Sequence, residues 1–181
     1  MSLISYTELC ELVEQGVITG VEPESINATS IDVHLAPLLI AEAYPETGRC
    51  TVDLAKRTQW ASVEIKMNQW GYTLAPNEFV LASTIETFNL PNDISAEFRL
   101  KSSGARSGLN NLFACHCDPG WHGSALTLEL HNVRRFGGIK LTPGVPIGQM
   151  LFHRVTPVPE GRGYKARGRY NNDAQVQGVK L

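Results

Sequence analysis

The sequence lacks the features that mark a membrane protein, a secreted protein or a general nucleic-acid binder. No apolar run approaches the roughly 20 residues of a membrane-spanning helix, and the N-terminus has neither the basic segment nor the apolar run of a signal peptide. Lysine and arginine number 16 against 18 acidic residues, so no basic excess is available for a nucleic-acid surface. We therefore expect a soluble cytoplasmic protein that binds neither nucleic acid nor membrane.

Cysteine is too scarce for a disulfide framework. Cys10, Cys50, Cys115 and Cys117 are scattered over the chain, and we interpret them as reduced thiols. The run around His116 could suggest zinc, but consecutive side chains on an extended chain point to opposite faces, and no Cys-x-x-Cys motif occurs. We expect no zinc and no other resident metal ion.

One short helix is predicted, at the N-terminus. Ser5 and Glu8 have the spacing of a capping box, in which each side chain accepts a hydrogen bond from the other residue's backbone N–H. Leu9 and Leu12 share one helical face, and Gly16 is suited to end the helix.

Beyond this helix the sequence predicts one β domain. Glycine, proline, asparagine and aspartate recur at short intervals between runs rich in β-branched and apolar residues, which is typical of a β sandwich or barrel. At 181 residues the chain can bury one core, and it shows no internal repeat. The predicted strands are Ser30–Leu35, Leu38–Ala43, Val63–Lys66, Gly71–Leu74, Phe79–Thr84, Ala96–Leu100, Leu126–Asn132 and Ile147–Val155.

Two turns and one strand in the centre of the chain carry most of the side chains that suggest chemistry. Residues 101–108, Lys-Ser-Ser-Gly-Ala-Arg-Ser-Gly, can offer backbone N–H groups, hydroxyls and a guanidinium to a phosphate chain. Residues 118–121, Asp-Pro-Gly-Trp, form a second turn. In residues 126–132 leucines alternate with polar residues, so this strand has an apolar face and a polar face that carries Glu129.

In this order, these motifs resemble those of the dCTP deaminases, members of the trimeric dUTPase superfamily. The resemblance continues in residues 30–35 (Ser-Ile-Asp-Val-His-Leu), 90–93 (Leu-Pro-Asn-Asp), 143–144 (Pro-Gly) and 147–148 (Ile-Gly), so it covers most of the chain. It implies a mainly β fold, a distorted jelly-roll or β-clip barrel of the dUTPase type with one short N-terminal helix. It also implies a homotrimer with nucleotide sites between subunits.

The activity that the resemblance implies is the hydrolytic deamination of dCTP to dUTP and ammonia. In dCTP deaminases the glutamate of the Leu-Glu motif is the general acid/base, so we assign that role to Glu129. It would take a proton from the attacking water and then protonate ring N3 and the departing amine, provided that burial keeps its pKa near the working pH. Magnesium would arrive bound to the triphosphate.

The resemblance also assigns the substrate contacts, and it divides the chain into a β domain over residues 1–160 and a flexible lid over residues 161–181. The lid segment is basic and poor in apolar residues, so it can add little to a core. The resemblance assigns the triphosphate contacts to Ser102, Ser103 and Arg106, with Lys101 beside them in the substrate site. It assigns the deoxyribose contacts to Asp118 and Trp121, and the lid contacts to Arg169, Tyr170 and Gln175.

Other functions remain open from the residues alone. A dUTP pyrophosphatase would use Asp118 to activate water against the α-phosphate, but it would give no role to Glu129. A bifunctional enzyme would carry dCTP through to dUMP. A regulatory protein would bind a nucleotide without turning it over, and the substrate could also be a modified cytosine nucleotide.

Overall fold

The structure, a computed structural model, describes residues 2–44, 51–112 and 114–180, and over these ranges the chain is mainly β. The strands are Ser2–Leu3 (β1), Ile18–Thr19 (β2), Ile31–His34 (β3), Leu38–Glu42 (β4), Ser62–Lys66 (β5), Tyr72–Leu74 (β6), Phe79–Asn89 (β7), Ile94–Leu100 (β8), Leu109–Asn111 (β9), His116–Cys117 (β10), His122–Asn132 (β11), Ile139–Leu141 (β12) and Pro146–Arg154 (β13). The helices are Tyr6–Glu14 (α1), Ser102–Arg106 (α2) and Tyr164–Arg167 (α3), with a 3-10 turn at Pro23–Ser25. Within these ranges no helix is long and apolar enough to cross a membrane.

The strands form two larger antiparallel sheets and one two-stranded ribbon. The first sheet has the order β1-β13-β8-β10, and β3 pairs with the same edge of β13 as β1 does, farther along the strand. The second sheet has the order β5-β4-β7-β11-β9, with β2 also pairing with β7, while β6 and β12 form the ribbon. Strand β11 therefore lies inside the second sheet, between β7 and β9.

Apolar residues from both sheets form one buried core. Phe98 and Phe152 come from the first sheet, Val80 and Leu128 come from the second, and each is at most 1% exposed. Because the strands alternate between this core and the outside, the residues next to the buried ones in sequence are directed away from it. The mainly β prediction is confirmed, and each of the eight predicted strands is present, although β7 and β11 are longer than predicted.

Helix α1 is confirmed, but its predicted capping box is wrong. The helix ends at Glu14, and Gly16 follows with a φ of +73°, a conformation that glycine adopts without a steric penalty. The Ser5 side chain makes no capping hydrogen bond. The Glu8 carboxylate instead pairs with the guanidinium of Arg154 on β13, because a charge-assisted bond of this kind is stronger than a bond to a neutral backbone N–H.

The small-residue segment predicted as a turn, residues 101–108, is instead largely helical. Residues Ser102–Arg106 form α2, with an extended Lys101 before the helix and Gly108 after it at a φ of +87°. The Ser107 hydroxyl donates to the Ser103 carbonyl at 2.9 Å, so one hydroxyl of the segment bonds to its own helix.

Candidate active site

The predicted alternation of β11 is present and gives Glu129 a position outside the core. Leu126, Leu128 and Leu130 are buried in the core, whereas Thr127 and Glu129 on the opposite face are half-buried. Strand β9 holds this part of β11, because the Glu129 backbone N–H donates to an Asn111 side-chain oxygen at 3.0 Å. The carboxylate is therefore carried by a strand that is paired on both sides.

The Glu129 carboxyl group is poorly solvated. Its Oε2 atom is buried and has no hydrogen-bond partner within the described ranges. Leu81 lies directly opposite Glu129 on β7, and Phe79 is two residues farther along the same face. This burial raises the pKa of Glu129 to about 7. A carboxyl group with such a pKa is divided between its acid and base forms at neutral pH, as a residue that both accepts and donates protons requires.

Glu129 lies in a cavity of about 420 Å³, a volume within the range of small-molecule sites. Of the other residues predicted for the substrate site, Asp118, Trp121 and Tyr170 also line this cavity. The structure thus brings together Glu129, both predicted deoxyribose contacts and one predicted residue of the C-terminal tail. These four come from β11, from the turn before it and from the tail.

Asp118 and Asp173 are the other carboxylates of the cavity. Asp173 pairs with Lys180, and the surroundings of Asp118 differ from those of Glu129. The Asp118 side chain is 59% exposed, and one of its oxygens lies 3.4 Å from Nε2 of His116. Both residues line the cavity. The carboxyl group of Glu129 is therefore shielded from water, whereas that of Asp118 is in contact with it.

Trp121 joins the hydrophobic core to the tail. It is 6% exposed, and its ring stacks on Phe88 with centroids 5.3 Å apart. Its indole nitrogen donates to the backbone carbonyl of Tyr170 at 2.6 Å. Protein atoms therefore cover most of the Trp121 side chain. Its contact with a deoxyribose remains a prediction.

The tail lies along β11 and covers part of the cavity. The Ala125 N–H donates to the Asp173 carbonyl at 2.9 Å, and the Gln177 N–H donates to the Thr127 hydroxyl at 3.2 Å. Val176 is 4% exposed. The tail therefore contributes at least one side chain to the buried interior, which its composition did not predict.

Two of the three predicted lid residues lie outside the cavity. Arg169 and Gln175 are exposed and do not line it, whereas Tyr170 does. The glutamine that lines the cavity is Gln177, two residues after the predicted one. Residues two apart share a face of an extended chain, so alternation does not distinguish Gln175 from Gln177. The backbone N–H of Gln177 donates to the Thr127 hydroxyl, and this tertiary bond places Gln177 at the cavity.

The predicted triphosphate residues do not reach this cavity within one chain. Ser102, Ser103 and Arg106 on α2 are exposed and do not line the cavity. Lys101 pairs with Asp32 of β3, so part of its charge is neutralised within the chain. The structure of the single chain thus separates the predicted phosphate-binding residues from the predicted general acid/base.

The thiols are free where the structure describes them. Cys10, Cys115 and Cys117 form no disulfide, and Cys50 lies outside the described residues. Burial raises the pKa of Cys117, and it also raises that of Cys115. Over the described ranges no three His, Cys, Asp or Glu side chains are grouped closely enough to hold a metal ion. Independence of zinc remains a prediction.

Several cavity residues were not found from the sequence. Trp60 precedes β5, Phe79 and Leu81 belong to β7, and Tyr164 begins α3. For Phe79 and Leu81, a signal was available in their alternation with core residues of β7. Trp60 stands in a segment without periodicity, and only the folded chain brings it to the site.

Comparison with known proteins connects this geometry to a family. The family model for dCTP deaminase-like proteins matches residues 3–155. The chain belongs to the dCTP deaminase-like family. The match contains Glu129, Asp118 and α2, and it ends before the tail.

Curated relatives of this dCTP deaminase-like protein carry a more specific name. The chain is 35% identical over 164 residues to "dCTP deaminase, dUMP-forming" of Pseudarthrobacter chlorophenolicus, a match that covers 89% of this chain and 82% of that protein. It is 34% identical over 162 residues to the protein of the same name from Dictyoglomus turgidum, with 87% of this chain and 81% of that protein covered.

A solved structure supports the fold of this dCTP deaminase-like protein. The crystal structure of 2'-deoxycytidine 5'-triphosphate deaminase from Agrobacterium tumefaciens superimposes with a TM-score of 0.64 at 19% sequence identity. The match covers 85% of this chain but 48% of the Agrobacterium chain, so this protein spans about half the length of that one. The predicted fold class is confirmed, while the homotrimer stays a prediction.

Proposed function

We propose that this protein hydrolyses dCTP to dUMP, with release of ammonia and pyrophosphate. The observation that carries the proposal is the position of Glu129, whose shielded carboxyl group has a pKa of about 7 in a cavity of about 420 Å³. The names of the two relatives, both called dUMP-forming, support the same overall reaction. They speak against dUTP as the final product, which was the leading prediction from sequence.

The first step is deamination at C4 of the cytosine. Ionised Glu129 takes a proton from water as the water oxygen bonds to C4, and it passes that proton to ring N3. Glu129 then takes the proton of the new C4 hydroxyl and passes it to the amino group, so that the C4–N bond breaks, ammonia leaves and a C4 carbonyl forms. Because the Leu81 and Phe79 side chains shield Glu129 from bulk water, the same carboxyl group can serve in both proton transfers.

The second step is hydrolysis at the α-phosphorus of the dUTP intermediate. A water molecule bonds to the α-phosphorus, the bond between the α- and β-phosphates breaks, and pyrophosphate leaves. Asp118 is suited to accept the proton of this water, since it lies in the same cavity as Glu129 but is exposed to solvent. The two carboxylates thus have separate tasks, which their different solvation favours.

The site is completed, in this proposal, by a second copy of the chain in a homotrimer. Arg106 and the two serines of α2 are exposed and lie outside the cavity of their own chain. A neighbouring subunit can bring α2 to the triphosphate, where its hydroxyl and guanidinium groups can donate charge-assisted bonds. The substrate is taken as the magnesium complex of dCTP, and the protein needs no zinc.

The tail, residues 161–181, acts as a lid over the nucleotide site. Tyr170 and Gln177 already line the cavity, and hydrogen bonds hold much of the tail to β11. Such contacts can open and close with substrate binding and product release. The β domain over residues 1–160 keeps its core when the tail leaves, because the large buried side chains belong to the sheets and α1.

The reaction is tested by incubating the purified chain with dCTP and magnesium and separating the nucleotides by chromatography. We expect dUMP, ammonia and pyrophosphate in equal amounts. Accumulation of dUTP would indicate a deaminase that lacks the second step. Consumption of dUTP but not of dCTP would indicate a pyrophosphatase, and binding without any product would indicate a regulatory protein.

A further inference from the structure

One end of the cavity is lined by the apolar residues that shield Glu129 and by Trp60, which has no task in the reaction so far. Leu81 lies opposite Glu129 in the pairing of β7 with β11, and Phe79 shares its face. Trp60 lies against Phe79, with ring centroids 6.0 Å apart and the ring planes inclined at 56°. All of these residues line the cavity together with Glu129.

Most other aromatic rings of the cavity are already engaged. Trp121 is 6% exposed and stacks on Phe88. The Lys180 ammonium lies 5.4 Å from the ring centroid of Tyr170, and Tyr164 packs against the hydrophobic core. Trp60 is half-buried, and its tilted contact with Phe79 is its one aromatic contact among the described residues. It is therefore a large aromatic side chain of the cavity that is available to a ligand.

Deamination requires the pyrimidine base of the substrate to lie at this end of the cavity. Glu129 must reach both the water at C4 and the ring nitrogen N3, so the base has to lie beside the carboxyl group. A base in this position meets Trp60 and Phe79 rather than the polar residues around Asp118. Aromatic side chains stabilise nucleobases by stacking on their faces.

We propose that Trp60 is a substrate-binding residue that stacks on the pyrimidine base and holds C4 next to Glu129. The inference rests on the proposed function, because it takes the ligand to be a deoxycytidine nucleotide. The segment that carries Trp60 also contacts the tail, since the Gln59 side-chain nitrogen donates to the Val179 carbonyl at 3.1 Å. Closure of the tail therefore holds Trp60 over the base.

The chain offers a matched control for this inference. It has three tryptophans, and Trp70 is 70% exposed and does not line the cavity. We expect Trp60→Ala to weaken dCTP binding, measured by calorimetry, by about tenfold to a hundredfold, the usual effect of removing one stacking partner of a base. Trp60→Phe should restore most of the affinity, and Trp70→Ala should leave it unchanged.

Tryptophan fluorescence gives a second readout that a purely structural role would not change. In the Glu129→Gln background, so that dCTP is not consumed, dCTP should quench the fluorescence of the Trp70→Phe variant. It should quench the Trp60→Phe variant much less, and pyrophosphate alone should quench neither.

The outcomes separate this inference from the proposed function. Wild-type affinity for dCTP in Trp60→Ala, or equal quenching in the two phenylalanine variants, would overturn the stacking role even if ammonia is released. If the Trp60→Ala substitution weakens dCTP binding but the unaltered protein releases no ammonia from dCTP, stacking is supported and deamination is refuted. A protein that does not bind dCTP would overturn both.

Discussion

The indole N–H of Trp121 and the hydroxyl of Ser124 both donate to the backbone carbonyl of Tyr170, at 2.6 and 3.1 Å. Trp121, which lines the cavity, and the buried Ser124 of β11 thus hold one backbone oxygen of the tail beside the site. These two hydrogen bonds and the burial of Val176 therefore stabilise the closed position of the tail.

Trp121→Phe should therefore loosen the tail without disrupting the core. The phenyl ring can still pack against Phe88, whereas the hydrogen bond to the tail, worth about 1 kcal/mol, is lost. We expect faster hydrogen exchange over residues 169–177 and turnover of dCTP that is several-fold lower, with β13 unaffected. Exchange that matches the unaltered protein over the tail would contradict this role, and Trp70→Phe is the control.

Replacement of Glu129 should separate binding from chemistry. Glu129→Gln keeps the size of the side chain but cannot take up a proton, so we expect deamination to fall by about two to four orders of magnitude while dCTP still binds. Ammonia release and calorimetry measure the two effects. Glu64→Gln, an exposed glutamate on β5, should retain full activity, and near-normal turnover in Glu129→Gln would exclude the assignment.

The pH dependence of deamination should follow the ionisation of the same carboxyl group. Glu129 must be ionised to accept a proton from water, and burial raises its pKa to about 7. The rate with dCTP should therefore fall about tenfold for each pH unit below that value. A rate that stays constant down to pH 5 would show that another group with a lower pKa acts as the base.

The free energy of unfolding should decrease as pH rises because of Glu129, whereas a salt-bridged carboxylate makes it increase. Its pKa is raised from 4.5 to about 7 on folding, so between these values the folded protein holds a proton that the unfolded chain releases, and stability declines as pH rises. Glu129→Gln removes this effect. We expect the variant to have a higher Tm than the unaltered protein at pH 8 and a much smaller difference at pH 4.5.

The long elements of the fold were predictable because their residues alternate or recur with a clear period. Strand β11 is an example, since its leucines identify its buried face and thereby place Glu129 on the other. The two-residue strands β1, β2 and β10 carry no period, and only their partners define them. The capping box failed for a related reason, because the competing Arg154 lies far from Glu8 in sequence.

The candidate site was predictable where one turn or strand carries its residues and was missed where tertiary contacts select them. Asp118, Trp121 and Glu129 are close in sequence and meet in one cavity. Trp60 and Gln177 reach the same cavity through contacts with Phe79 and Thr127. No local pattern distinguishes Gln177 from the exposed Gln175.

A mixture of two inactive variants should test whether the site is shared between subunits. Arg106→Ala should weaken binding of dCTP far more than that of deoxycytidine, because the lost contact is to phosphate. If α2 of one subunit serves the Glu129 cavity of the next, a trimer assembled from Arg106→Ala and Glu129→Gln chains contains some sites with both native residues.

When the two variants are co-expressed with different affinity tags and purified through both, every recovered trimer is mixed, and about a third of the sites should be intact. Turnover of dCTP should recover to about that fraction, whereas each variant alone stays inactive. If Arg106 and Glu129 serve the same cavity of one chain, every site carries one defect and no activity returns. Sedimentation of the unaltered protein as an active monomer would exclude the shared site directly.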